Sequence, residues 1–327
     1  MTTTTAALDV RRATAADRPA VLALLGAALG WGDDERFAAF FAWKHQDNPS
    51  GASPGWVALA GERVVGFRTF LCWELEGPEG PVRAVRAVDT ATHPDHQRRG
   101  IFSRLTATAA EELAAEGVDL VFNTPNDRSG PGYTKLGWHR VGPLPVSWRP
   151  TSAMSILRMA GARCPAERWS LPVEAGQPAG EVLADPFVAE LVASQPPPTG
   201  LRTRRSPAFL AWRYGHAPLR YRAVPVGSDL ADGFALFRAR RRGRAVEGTL
   251  CDILVPGADP RLAHRARARV AAVTGLDYVL DRTPTSLRSG FLPLPGQAPT
   301  LYARGLASPR LPAPAGWDLS LGDVELF

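Results

Sequence analysis

The sequence predicts an α/β (α+β) fold, laid down twice along 327 residues. Three observations carry that reading. Runs rich in β-branched residues alternate with runs whose apolar residues recur at helical spacing. Residues 82–123 read in order as strand, basic glycine turn, helix and strand. The order of signals in the first half also returns in the second.

The stretch at residues 82–92 (VRAVRAVDTAT) is β-branched and reads as a strand. His93-Pro94 ends it, because proline cannot donate to a sheet. Gln97-Arg98-Arg99-Gly100 is a short turn opening straight into a helix, on which Phe102, Leu105, Ala109 and Leu113 share one face. Gly117 stands where a left-handed C-terminal cap is expected, and residues 119–123 form a short apolar strand. The first N–H groups of a helix lack partners within it, and the helix dipole adds positive charge there. Beside Arg98 and Arg99 such a turn is an anion site that suits a pyrophosphate, and Gly100 lets backbone approach it closely. Read alone, the turn is equally a solvated basic loop.

Upstream, residues 8–13 read as a strand. Asp17 is the expected cap of a helix with Pro19 in its first turn, Gly30 at its end, and Val21, Leu22, Leu25 and Leu29 as its buried stripe. A second helix starts at Asp33-Asp34, carries Phe37, Phe40, Phe41 and Trp43, and stops at Asn48-Pro49. Its aromatics are either core or pocket lining. Residues 56–60 and 64–74 form a hairpin around Gly61-Glu62-Arg63.

Downstream, residues 141–148 read as one strand. Residues 150–205 are rich in Pro, Ala and Gly and read as a connector with short helices near 155–159 and 185–193. The repeat follows: Phe41-Ala42-Trp43-Lys44 before Pro49 returns as Leu210-Ala211-Trp212-Arg213 before Pro218. Gly66-Phe67 returns as Gly233-Phe234, and Asp89 with Pro94 as Asp252 with Pro256. A helix at 261–273 and a strand at 277–280 complete the parallel. The second copy has Gly257-Ala258-Asp259-Pro260 in place of the basic glycine turn and no counterpart of Tyr133.

These residues resemble the acyl-CoA-binding core of the GNAT superfamily of N-acyltransferases. Pro94, Gln97 and Gly100 stand at the spacings of its proline and Q/R-x-x-G-x-G/A loop. Asn126 followed by Tyr133-Thr134-Lys135-Leu136-Gly137-Trp138 matches its Asn and Tyr-x-K-L-G-aromatic run. The resemblance covers the first 150 residues or so well and the rest weakly. It implies two tandem GNAT-like domains, each a mixed, mostly antiparallel sheet flanked by helices. Residues 1–150 are the acyl-CoA domain, 151–205 the connector, and 206–327 a degenerate copy that covers the acceptor side or forms an oligomer surface. The pairing of GNAT-like domains is similar to the Eis-type acetyltransferases.

The implied reaction is transfer of an acetyl or other short acyl group from acyl-CoA to a primary amine of a small molecule or amino sugar, by direct attack on the thioester. The resemblance implies that backbone of Thr90, Ala91 and Thr92 holds the pantetheine arm, and that Gln97, Arg98, Arg99, Gly100, Ile101 and Phe102 bind the pyrophosphate. It also implies that Asn126 contacts the arm or holds the splayed strand, and that Tyr133 protonates the leaving thiolate. Two departures stand out. Phe102 replaces the usual Gly or Ala, and Arg86 stands where several members carry a carboxylate base. The proton acceptor is therefore Asp89, the C-terminal carboxylate of Phe327, or water. The alternative to an enzyme is a regulatory or structural protein that binds acyl-CoA without transfer.

Composition bounds the rest. Hydrophobic residues make up 45% and charged residues 21%, as in globular proteins that fold in water. The formal net charge of +6 is spread over both halves, with no nucleic-acid-binding signature. Cys72, Cys164 and Cys251 lie far apart, so buried thiols are expected rather than a disulfide framework or a metal site. No signal-peptide pattern opens the chain and no apolar run nears the ~18 residues of a membrane span. A cytoplasmic protein without metal, nucleic-acid or membrane partners is expected, with a homo-oligomer left open.

Overall fold

A computed structural model describes residues 8–324 apart from 32–33, 161, 163, 283–289, 295, 297 and 308–310. The chain forms two compact units, residues 1–142 with 300–314, and residues 143–299 with 315–327.

The first unit opens with β1 (Leu8–Arg12), α1 (Arg18–Leu29) and α2 (Arg36–His45). The hairpin β2 (Gly55–Ala60) and β3 (Arg63–Gly77) leads into the predicted strand, β4 (Gly80–Thr92). Then come α3 (Ile101–Ala115), β5 (Leu120–Asn123), α4 (Gly130–Lys135) and β6 (His139–Pro143). The second unit holds β7 (Ser147–Pro150), α5 (Ala153–Ala160), β8 (Gln177–Pro178), α6 (Ala179–Val182), α7 (Phe187–Ala193) and the two-residue β9 (Arg202–Thr203). The repeat follows as α8 (Pro207–Gly215), β10 (Arg222–Pro225), β11 (Phe234–Arg242), β12 (Ala245–Leu254), α9 (Pro260–Ala271) and β13 (Tyr278–Asp281), then β14 (Leu292–Pro293). The strand β15 (Thr300–Gly305) returns to the first unit, and α10 (Leu321–Val324) belongs to the second.

The first sheet runs β1-β2-β3-β4-β5-β15-β6 and the second β14-β7-β13-β12-β11-β10-β8. Each is mostly antiparallel and contains a parallel pair, β4 with β5 and β12 with β13. This is the architecture expected, two mixed, mostly antiparallel sheets flanked by helices. The parallel pair has one cause in both copies: a helix, α3 or α9, links the two strands and forces a crossover.

In the first unit α3 lays Ile101, Leu105, Ala109 and Leu113 on Trp56, Ala58, Val65, Phe70 and Val85. At Gly66 helix and sheet come close, since a Cβ there would overlap Ile101 Cγ2 and lie 3.1 Å from Ala58 Cβ. In the second unit Ala266 and Val270 of α9 pack on Ala235, Phe237 and Leu250.

Several expectations need correction. The single strand expected at 141–148 is two strands in different sheets, because Pro143 and Pro145 interrupt the ladder between them. Residues 300–314 join the first unit, so the expected boundary at 150 leaves one strand out, and the connector folds into the second unit. On α1 the buried stripe is Val21, Leu24 and Leu25, while Leu29 is exposed. Asp17 stands at the N-cap of that helix, as expected, but its side chain makes no capping hydrogen bond to it. Its carboxylate accepts from Arg11 (2.8 Å) and from Thr14 N (2.8 Å). Of the three cysteines only Cys251 is buried, and Cys164 is exposed. Asp33 and Phe327 lie outside the described residues. No helix among those described is long and apolar enough to cross a membrane.

Candidate active site

The site begins where two strands part. β4 pairs with β5 only from Ala84 to Arg86, against Leu120 to Phe122, and then runs on to Thr92. On its other edge the register with β3 shifts, from Thr69↔Val88 to Phe67↔Ala91, so Arg68 alone opposes Asp89 and Thr90. The extra residue is a β-bulge, and Asp89 takes the left-handed conformation there, with φ +43°. Beyond it Thr90, Ala91 and Thr92 line a cleft of about 490 Å³.

The predicted turn and the start of α3 line the cleft too, with His96, Gln97, Arg98, Gly100, Ile101 and Phe102, as do Ala28 and Leu29 of α1. Gly100 has φ +72° and Arg98 φ +61°. Left-handed residues in such a turn bend successive N–H groups toward a common centre, a concavity that suits anions. Gly100 is the N-cap of α3, and no side chain caps the helix. The protein leaves open space around a Cβ at Gly100, so it is the positive φ that selects glycine. Arg99 does not line the cleft, and its guanidinium lies 2.8 Å from His96 Nδ1.

Tyr133 is buried on α4. Asn126 launches that helix: its side-chain oxygen accepts from Arg128 N (3.1 Å), Ser129 N (3.0 Å) and Ser129 Oγ (3.0 Å). Its carboxamide oxygen is thus engaged in its own loop. The Tyr133 ring packs edge-on against Phe102 with centroids 5.3 Å apart, and tilted on Trp138 at 5.3 Å. Phe102, the departure at the third loop position, is therefore what fixes the phenol ring from the cleft side. The Tyr133 hydroxyl accepts from Arg68 Nη1 at 2.7 Å. Arg68 is a site residue the sequence reading missed. It sits in the middle of a strand, and only the bulge places it opposite residue 90.

Asp89 is held otherwise than expected. Its Oδ2 lies 2.8 Å from Lys44 Nζ and 2.7 Å from His45 Nε2, both from the buried end of α2. Burial alone would raise the Asp89 carboxyl, but Lys44 and His45 outweigh it and hold it well below the usual carboxylate range. Burial pushes the His45 imidazole down despite Asp89, so it stays neutral and donates through Nε2. A carboxylate so sequestered is a poor proton acceptor. Asp89, expected as a candidate base, is held in an ion-paired cluster with Lys44 and His45, for which no spacing in the sequence offered a clue. Arg86 lies buried between Trp73 and Phe122, its guanidinium carbon 5.4 and 5.1 Å from their ring centres.

The second copy closes the equivalent helix start. Asp259 accepts from Arg261 N (2.7 Å) and Leu262 N (3.3 Å), so its own carboxylate occupies the N-terminus of α9. Asp252, the counterpart of Asp89, is bound by Arg205 (2.7 Å) and by Tyr214. Arg205 also reaches Asp323 at 3.1 Å and so ties α10 to this unit. No group of three or more His, Cys, Asp or Glu arranged to hold a metal occurs among the described residues.

A parted parallel pair and an uncapped basic helix start thus meet in one cleft, with Tyr133 packed behind its Phe102. Residues 9–141 match the family model described as an acetyltransferase (GNAT) domain. Proteins of this family use acetyl-CoA as co-substrate. Among solved structures, a protein of Enterococcus faecalis described as a probable N-acyltransferase is 9% identical, with TM-score 0.61, over 92% of this chain and 73% of that one. A GCN5-related N-acetyltransferase of Anabaena variabilis is 12% identical, with TM-score 0.60, over 92% and 73%. Eis1 of Mycobacterium abscessus is 13% identical, with TM-score 0.58, over 91% and 74%. At these identities the likeness is one of fold. No curated protein matches the sequence.

Proposed function

We propose that this protein moves an acetyl or other short acyl group from acyl-CoA to a primary amine of a small molecule or amino sugar. The observation that carries the reading is that one cleft brings together the unpaired β4 edge, the uncapped start of α3 and Phe102, against which Tyr133 packs.

The residues present fit an acyl-CoA. The backbone of Thr90, Ala91 and Thr92 offers strand-like donors and acceptors to the amides of the pantetheine arm. The N–H groups from Gln97 to Phe102, with Arg98, receive the pyrophosphate. Bound so, the thioester is oriented for attack by a neutral amine, and the Tyr133 hydroxyl is the acid for the departing sulfur. Asn126 serves by setting the start of the helix that carries Tyr133. With Asp89 sequestered, water takes the proton from the amine nitrogen. The second copy, its helix start sealed by Asp259, is read as a domain that does not bind acyl-CoA.

Calorimetric titration with acetyl-CoA, on the wild type and on Gly100→Glu, tests this. Glu at a φ of +72° is strained and brings a negative charge into the anion site. Wild-type binding that the variant lacks supports the reading. A wild type that does not bind acetyl-CoA overturns it, and binding without release of the CoA thiol toward any amine leaves the regulatory alternative in its place.

A further inference from the structure

Arg68 is fully buried, and no carboxylate among the described residues pairs with it. Its Nη1 donates to the Tyr133 hydroxyl at 2.7 Å and to Thr90 Oγ1, while Nε and Nη2 have no hydrogen-bond partner. Three aromatic rings surround it: the guanidinium carbon lies 4.5 Å from the centre of Phe70, 5.2 Å from Tyr133 and 5.7 Å from Phe102. Burying a cation without a counter-ion is strongly unfavourable, and π-faces offset only part of that cost. Buried Lys44 and Arg205 each have a carboxylate. Arg68 is thus a positive charge held in reserve beside the hydroxyls of Tyr133 and Thr90.

Its donor-only chemistry also has a geometric result. A guanidinium cannot accept, so the single hydrogen of the Tyr133 hydroxyl must turn away from Arg68, and the same holds for Thr90. Thr90 and Phe102 line the cleft.

Resting on the function proposed above, we propose that Arg68 is a positioning residue of the transfer. It aims the Tyr133 hydroxyl hydrogen at the leaving sulfur and holds the phenolate that remains once that proton has gone. In the step, the amine nitrogen bonds to the carbonyl carbon and the C–S bond breaks with its electron pair going to sulfur. Sulfur takes the Tyr133 proton. The phenolate, hydrogen-bonded by Arg68 Nη1, is reprotonated through water by the proton that left nitrogen, so nothing is oxidised or reduced.

The test compares wild type, Arg68→Met, Tyr133→Phe and the double variant. Release of the CoA thiol from acetyl-CoA is followed with glucosamine as the amine and with water alone. Affinity for CoA is read by calorimetry, and Tm by thermal melting. Arg68→Met is expected to lower kcat about 100-fold, as loss of a donor to a developing anion does. KM for acetyl-CoA and affinity for CoA should stay within about threefold. Its Tm should be no lower than wild type, since replacing a buried charge by an apolar side chain is often neutral or stabilising. The double variant should be no slower than Tyr133→Phe alone, because Arg68 acts through that hydroxyl. Arg68→Lys, which keeps a cation in place, should retain more rate than Arg68→Met and serves if the latter fails to fold.

An Arg68→Met enzyme with kcat within threefold of wild type overturns the proposal. So do losses that multiply in the double variant, the mark of a separate structural role. A wild type that releases no thiol, or a Tyr133→Phe variant at full rate, fails earlier and overturns the function reading or the role of Tyr133 itself.

Discussion

The same bulge holds two buried charges of opposite sign, and their partners decide what each can do. Asp89 has Lys44 and His45 within 2.8 Å. Replacing it by Asn leaves the Lys44 ammonium buried with a neutral partner. A loss of about 3 kcal/mol of unfolding free energy is expected, read from denaturant melts. The pH dependence follows by sign. Both His45 and Asp89 have folded-state values below their unfolded ones. Each therefore contributes stability that is full above its unfolded value and lost as pH falls toward its folded one. Stability should begin to drop below about pH 6.5 through His45 and drop again below about pH 4 through Asp89. In Asp89→Asn the second drop should be missing; a full second drop in the variant would place its cause elsewhere. At this scale the sequence was partly legible. The fixed spacing that joins Gly100, Asn126 and Tyr133 is visible in the sequence. No such spacing marks Lys44, His45 and Arg68, because they reach the site only through tertiary contacts and a bulge that breaks the two-residue alternation of β4.

Among the elements, α3 does the positioning, since its first turn meets the cleft and its length packs on the sheet. Gly66 sets that packing distance. Gly66→Ala is expected to cost about 1–3 kcal/mol by overpacking against Ile101 and Leu105 and to weaken acetyl-CoA binding in parallel. Melting and calorimetry on the same sample check both effects, and a variant destabilised with unchanged affinity would separate helix packing from the anion site. Element type was legible almost throughout, because glycine caps and prolines mark the ends, as Gly30, Gly117 and Pro94 do. The break in the expected strand at 141–148 was written in Pro143 and Pro145 as well. What hid it was the continuity of apolar residues across both prolines, whose effect depends on which sheet each half joins.

For the whole molecule, order along the chain and order in space differ at one place. β15 pairs with β5 through Tyr302↔Asn123 and Ala303↔Phe122, and it separates β5 from β6 in the sheet. No sequence signal announces this. Residues 300–305 look like any short strand, and the internal repeat assigns them to the second copy. A fragment of residues 1–150, the domain the sequence marks out, lacks that strand. It is expected to show no cooperative unfolding transition and no heat on titration with acetyl-CoA. A fragment that melts cooperatively and binds would show that β15 is dispensable.

The place of β15 also sets a timetable for biosynthesis. The first sheet awaits a strand made roughly 160 residues after β6, an interval of about 8–30 s at ordinary elongation rates. Through that interval the nascent polypeptide carries β5 with an unpaired rim, the sort of edge that recruits other strands. The first sheet is thus completed only after most of the second unit has left the ribosome.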